Sequence, residues 1–174
     1  MFADHVTVVS DSNLSSSGAF ITDSSSTLHL LAGGGHFDVT SHSIDLLCNV
    51  TGGGDLTLSC DQCEMVIGGN TNYYVDRSSY HISNDVLSRV LNTGEVTLGS
   101  RNSDLSNVTE VLVDDLNVSL ASSLFSISSS AGPVSFLNLS SHITLTSDEA
   151  SIGISAAGNV SVEADLTVQI RNSR

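Results

Sequence analysis

Three cysteines are the first candidates for chemistry, and two of them, Cys60 and Cys63, form a CxxC motif. This spacing occurs in zinc sites, in thiol redox centres and in short disulfide loops. A structural zinc ion needs four ligands. Cys48 with His36 or His42 could complete the set, but the spacing matches no zinc knuckle.

A redox-active CxxC motif precedes a helix, because the N-terminus of that helix stabilises the thiolate. Here the residues after Cys63, from Glu64 to Gly68, are typical of a strand instead. We therefore favour a disulfide or inert thiols among Cys48, Cys60 and Cys63, with zinc binding and redox chemistry as alternatives. The sequence predicts no cofactor, no metal site and no catalytic residues.

Carboxylates are the second group of candidates, since glycoside hydrolysis uses two carboxyl groups about 5–10 Å apart. Two acids on neighbouring parallel strands can lie at that separation. The aromatic content of 5% and the absence of lysine argue against a sugar-cleaving site. A glycan-binding or glycan-cleaving protein is thus the alternative interpretation, with these acids available: Asp114, Asp115, Asp148, Glu149, Glu163 and Asp165.

Six Asn-x-Ser/Thr triplets are candidate N-glycosylation sites, more than chance predicts from this composition. An asparagine that closes a turn before a Val-Ser strand produces the same triplet for structural reasons, so both explanations stay open. The candidate residues are Asn13, Asn49, Asn107, Asn117, Asn138 and Asn159.

The net charge is −14, from 19 acidic and 5 basic residues. Such a charge repels the phosphates of nucleic acids and of anionic lipids, so we expect no nucleic-acid partner. No apolar run is long enough to span a membrane, and we expect no membrane insertion.

Short strands must position these residues. In each strand apolar and polar residues alternate, and a new strand begins about every eight to ten residues. His142-Ile-Thr-Leu-Thr and Asp165-Leu-Thr-Val-Gln-Ile are two examples. This repetition predicts an all-β fold, a β-solenoid in which Val, Leu and Ile stack inward while Ser, Thr and acids face outward. The predicted strands cover 5–9, 19–22, 27–32, 36–40, 43–49, 55–60, 64–67, 95–99, 109–120, 124–128, 133–139, 142–146, 151–155, 159–163 and 166–170.

The pattern changes between residues 83 and 91, where apolar residues follow a helical period and Ser83 is a suitable N-cap. We predict a short helix there. We also predict one domain over residues 1–174. Because its ends lack the polar capping elements that solenoids need, we expect a segment of a longer chain, or ends that self-associate with other copies.

The segment Ile82-Ser83, Leu87, Thr93-Gly94 and Val96-Thr-Leu-Gly99 resembles repeats of large secreted bacterial proteins of the filamentous-haemagglutinin type, as does Ser26-Thr-Leu-His-Leu-Leu-Ala-Gly-Gly34. The resemblance is close over about residues 80–100 and loose over residues 25–170. It implies a right-handed parallel β-helix and an extracellular or cell-surface location. We therefore expect a non-enzymatic structural or adhesin-like module, whose partner is a host or cell-surface protein or glycan.

Overall fold

The chain folds as an all-β parallel β-helix, as the strand pattern predicts. The computed structural model describes residues 5–9, 19–30, 35–69, 80–91, 93–100, 107–137, 140–147 and 149–171. Within them lie eighteen strands and one helix: β1 His5–Val9, β2 Ala19–Ile21, β3 Thr27–Leu30, β4 His36–Thr40, β5 Ser43–Asp45, β6 Asn49–Gly52, β7 Asp55–Ser59, β8 Cys63–Ile67, β9 Tyr80–Ile82, α1 Asn84–Ser88, β10 Glu95–Gly99, β11 Val108–Val113, β12 Asn117–Leu120, β13 Leu124–Ser129, β14 Val134–Phe136, β15 Ser141–Leu145, β16 Ser151–Ala156, β17 Val160–Val162 and β18 Leu166–Ile170.

Three parallel sheets run along the coil. The first has six strands in the order β1-β4-β7-β10-β13-β16, and the second has five in the order β17-β14-β11-β8-β9. The third consists of β12-β15-β18, and the pairs β2-β5 and β3-β6 belong to the early turns of the coil. Each turn, or rung, therefore supplies a strand or a bridge to each side, from β1-β2-β3 in the first rung to β16-β17-β18 in the last. In the third rung the third side is formed by the isolated bridge of Val90 with Val50. The right hand of the coil stays a prediction.

The core is a stack of apolar side chains that match from rung to rung. In the first sheet Leu56 pairs with Val96, which pairs with Phe125. Two residues further on, Leu58 pairs with Leu98 in the same way. All five side chains are at most 1% exposed. Because alternate strand residues face the same side, two such rows per strand fill the interior.

On the outer side of the middle rungs some hydroxyl groups are buried, whereas the sequence predicted that they face solvent. Thr57 and Thr97 alternate with the core residues and so face away from the core, yet they are only 4% and 5% exposed. Another hydroxyl, that of Thr40, lies 2.9 Å from the Ser59 hydroxyl of the next rung. Such pairs satisfy buried polar groups and bind rungs together.

An extra strand enters the second sheet in the third rung. The chain leaves β8 and returns as β9, which pairs with the side of β8 opposite to β11. Helix α1 follows, and its first backbone turn is capped by Ser83 Oγ, which accepts a hydrogen bond from Val86 N. After α1, Val90 forms a parallel bridge with Val50 of β6, so the coil resumes on the third side.

Most predicted elements are confirmed, with bounds that shift by at most three residues; the helix predicted over 83–91, for example, is Asn84–Ser88. The predicted strand 109–120 is wrong as one element, because the chain turns at Asp114 to Leu116 between β11 and β12. The predicted strand 43–49 likewise contains a corner between β5 and β6. The predicted irregular patch 69–80 lies mostly outside the described residues.

Glycine is required at two of the corners. Gly52 and Gly99 end their strands with φ angles of 118° and 105°. A Cβ atom on Gly99 would collide with the backbone carbonyl of Ser128, its partner in the next rung. No helix in the described part of the chain has the length and apolarity needed to cross a membrane.

Candidate functional site

Two carboxylates on the outer side of the second sheet form the strongest candidate site. Glu64 of β8 and Glu110 of β11 are register partners, and both are half-buried. The side chains alternate with the inward-facing Met65 and Val111, so both emerge on the outer surface. Neighbouring strands lie about 4.8 Å apart, which brings the two acids to the separation used by a carboxylate pair.

The opposed acids have a physical cost, since like charges on directly opposite strand positions destabilise a sheet. A β-bulge between Val108 and Glu110 sets this register. Thr109, the extra residue of the bulge, donates its hydroxyl to the carbonyl oxygen of Cys63 at 2.9 Å. The bulge thus brings Glu110 opposite Glu64.

The acids predicted from the sequence lie elsewhere and at separate corners. Asp114 is 9% exposed and lies with Asp115 between β11 and β12. Glu163 and Asp165 lie at the corner between β17 and β18, and Glu149 precedes β16. These corners belong to different rungs, so the structure does not bring this set of acids together. Asp148 lies outside the described residues.

Glu64 and Glu110 were missed because no local motif connects them. The extra strand β9 and helix α1 lie between β8 and β11 in the sequence and lengthen the third rung, so the two acids are 46 residues apart along the chain (64 to 110). The alternation of Glu64 with apolar neighbours indicated an outward side chain. The sequence between the two acids did not indicate that Glu64 and Glu110 would pair across neighbouring strands.

The cysteines are divided between a disulfide and a free thiol. Cys60 and Cys63 are bonded across the corner between β7 and β8, with their Cα atoms 6.0 Å apart. Cys48 is free and buried. Since a disulfide offers no thiolate pair for zinc, the zinc alternative is not supported. Among the described residues no group of three or more His, Cys, Asp or Glu side chains could hold a metal ion.

The described sequon asparagines all lie at the start of a strand, on two sides of the coil. Asn49 and Asn117 are the first residues of β6 and β12, while Asn107 and Asn159 immediately precede β11 and β17. All four are exposed. Their geometry therefore permits attachment of a glycan and also fits the turn-closing role. Asn13 and Asn138 lie outside the described residues.

A polar contact near the start of the first sheet links three rungs. His36 Nδ1 lies 2.9 Å from Asp55 Oδ2. The other carboxylate oxygen, Asp55 Oδ1, accepts a hydrogen bond from the backbone N–H of Glu95 at 3.0 Å. Asp55 therefore bridges β4 and β10 from its place on β7, which is a structural use of an ionisable group.

Comparison with known proteins adds no family to this description. No family model, no curated protein and no solved structure gives a significant match to the chain. The function must therefore be argued from the sequence and the geometry of the chain itself.

Proposed function

We propose that this chain is a non-enzymatic structural module of an extracellular or cell-surface protein, an adhesin-like β-helix that acts as a rigid spacer. The observation that carries the proposal is the six-stranded first sheet, in which every adjacent strand pair is parallel. A continuous stack of this kind holds its two ends at a fixed distance and orientation. The outer side and the loops are then available to a cell-surface protein or glycan.

Two further observations favour an extracellular location. The Cys60–Cys63 disulfide suits an oxidising compartment, where such bonds persist. The exposed sequon asparagines, such as Asn49 and Asn117, are accessible to glycosylation in a secretory pathway. The resemblance of residues 80–100 to haemagglutinin-type repeats agrees with the same location.

Spin labels on two distant rungs test the spacer role. Ser43 of β5 and Ser155 of β16 are both exposed and lie in the second and last rungs. Pulsed electron paramagnetic resonance on the double variant Ser43→Cys and Ser155→Cys should give one narrow distance distribution. Because Cys48 is buried, it should not take up the label in the native protein.

The matched control is the same labelled pair with Leu98→Ala, which opens a cavity in the middle of the stack. Leu98 is fully buried, so this substitution should loosen the coil and broaden the distribution. A broad or multiple distribution in the parent protein would overturn the rigid-spacer proposal.

A glycan-binding or glycan-cleaving role is the second candidate, and it is favoured by the Glu64–Glu110 pair. Incubation with a panel of neutral and acidic polysaccharides, followed by a reducing-end assay and calorimetric titration, tests it. Glu64→Gln or Glu110→Gln would remove any cleavage or binding by this pair, whereas Glu163→Gln at a remote corner would not. Cleavage by the parent protein that both variants abolish would replace the non-enzymatic proposal.

A further inference from the structure

The third side of the coil differs from the other two in its charge. It consists of β3, β6, β12, β15 and β18, with the Val90 bridge in the third rung. The side chains that alternate with the core residues of these five strands point outward, and each is Ser, Thr, Asn, Gln or His. The outward strand positions of the other two sides include carboxylates: Asp38, Asp55 and Glu95 on the first side, and Asp45, Glu64 and Glu110 on the second.

The third rung and the corners keep this side free of carboxylates along its strands. The bridge at Val90 gives the outward positions of the third rung to Arg89 and Leu91, a cation and an apolar side chain that is 48% exposed. Asp115 and Asp165 lie at the corners before β12 and β18, outside the strands. A partner on the described strands of the third side therefore meets no negative charge, although the chain as a whole carries −14.

The hydrogen-bonding groups of the third side are exposed and are not used within the fold. Asn49, Asn117 and Ser119 are exposed, and their side chains form no hydrogen bond with the described part of the chain. On the first side, by contrast, the hydroxyls of Thr40 and Ser59 lie 2.9 Å apart and pair with one another. The third side thus presents donors and acceptors that a partner can use.

These groups repeat in register from rung to rung. Asn117 lies beside His142, which lies beside Thr167, so one polar row crosses three strands. Ser119 begins a second row two residues further along β12. Neighbouring strands are about 4.8 Å apart, so a linear polymer that lies across them meets a new hydrogen-bonding group at about that interval.

The chemistry of this side favours a neutral polysaccharide over other partners. A polyanion is repelled by the net charge of −14. The core of a protein–protein interface is apolar and rich in aromatic residues, whereas Leu91 is the one exposed large apolar side chain at the outward positions of the described third side. Sugar hydroxyls both donate and accept hydrogen bonds, as the hydroxyl and amide side chains of this side do.

We propose that the third side of the coil binds a neutral, linear polysaccharide that lies across its strands. The proposal rests on the surface role proposed above, and it names the side of the coil and the class of glycan. It is a different site from the Glu64–Glu110 pair, which lies on the second side. Because a hydrogen bond exposed to water contributes little by itself, the affinity should come from several consecutive sugars.

Affinity electrophoresis in native gels tests the proposal. The gels contain hydroxyethylcellulose, xyloglucan or galactomannan as neutral polymers, and carboxymethylcellulose as the anionic counterpart of the first. The 174-residue chain is made without N-glycosylation, because a glycan on Asn49 or Asn117 would cover the same surface. We expect at least one neutral polymer to retard the protein, and carboxymethylcellulose to leave its migration unchanged.

A pair of double variants tests the location of the site. Asn117→Ala combined with Ser119→Ala removes two hydrogen-bonding side chains from the third side and should raise the dissociation constant about tenfold. Ser43→Ala combined with Ser155→Ala is the matched control, at exposed outward positions of the second and first sides. It should change the dissociation constant less than about twofold. Circular dichroism and thermal unfolding check that both double variants fold.

Several results would overturn the proposal: no retardation by any neutral polymer, equal retardation by carboxymethylcellulose, or equal effects of the two double variants. Retardation lost in Glu64→Gln but kept in the third-side variant would assign the glycan to the second side instead. A concentration-dependent dimer in sedimentation velocity that the third-side variant abolishes would identify a second copy as the occupant, which also contradicts the proposal. The rigid spacer does not depend on these results, since the labels at Ser43 and Ser155 test it separately.

Discussion

The burial of individual side chains in this coil changes their chemical properties. Tyr80 is fully buried on β9, inside a core made mostly of aliphatic side chains. Burial raises the pKa of its hydroxyl, and the neighbouring Ser41 hydroxyl, which does not form a well-aligned hydrogen bond with it, offsets only part of that effect. The neutral hydroxyl is therefore stable in the folded protein, and the phenolate is not.

Tyr80 predicts a loss of stability in alkali. In the unfolded chain the hydroxyl ionises near its ordinary pKa of about 10, whereas in the folded chain it stays protonated. The free energy of unfolding should thus be independent of this group below about pH 10 and fall as the pH rises further. Urea titrations at several pH values in wild type and Tyr80→Phe measure the effect. The variant should lose less stability in alkali, and an identical fall in both proteins would refute the role of Tyr80.

At the scale of elements, the segment of β9 and α1 is the main interruption of the coil. Asn84, the first residue of α1, ties it to the next rung. Its side-chain N–H donates to Asp115 O at 2.8 Å, and its side-chain oxygen accepts from Asn117 N at 2.9 Å. Arg89, the C-cap of α1, ties the other end of the segment to an earlier rung, donating to Leu47 O at 3.0 Å. The segment is thus held on both sides.

Removal of the Asn84 side chain should therefore destabilise the fold. Asn84→Ala deletes both hydrogen bonds and leaves two backbone groups without this partner, which costs about 1–3 kcal/mol. Asn159→Ala, at an exposed asparagine before β17, is the matched control and should change stability by less than about 0.5 kcal/mol. Urea unfolding followed by circular dichroism compares the two variants. Equal costs would show that the Asn84 bonds do not hold the segment.

The elements also show which parts of the structure could be predicted from the sequence. Strands β4 and β18 were predicted with the observed bounds, because their apolar and polar residues alternate strictly. β9 was missed, since Tyr80-His-Ile follows an Asn- and Tyr-rich tract without alternation. The candidate site at Glu64 and Glu110 depends on register between distant segments, and a local pattern does not contain that register.

At the scale of the whole molecule, burial falls from the middle of the coil toward its last rung. Strands β7 and β10 have a neighbour on each side and core residues with no exposed surface, such as Leu58 and Leu98. β18 has one neighbour, and its inward residue Ile170 is half exposed. In a solenoid each rung contacts only its neighbours, so stability need not be uniform along the stack.

This gradient predicts the pattern of amide hydrogen exchange. In dilute protein the amides of β7 and β10 should exchange only through large openings of the coil, while those of β18 should exchange faster because the last rung can detach first. Mass spectrometry of peptides from each strand measures this order. Uniform protection of β10 and β18 in dilute protein would contradict the gradient, because it would require the whole coil to open as one unit.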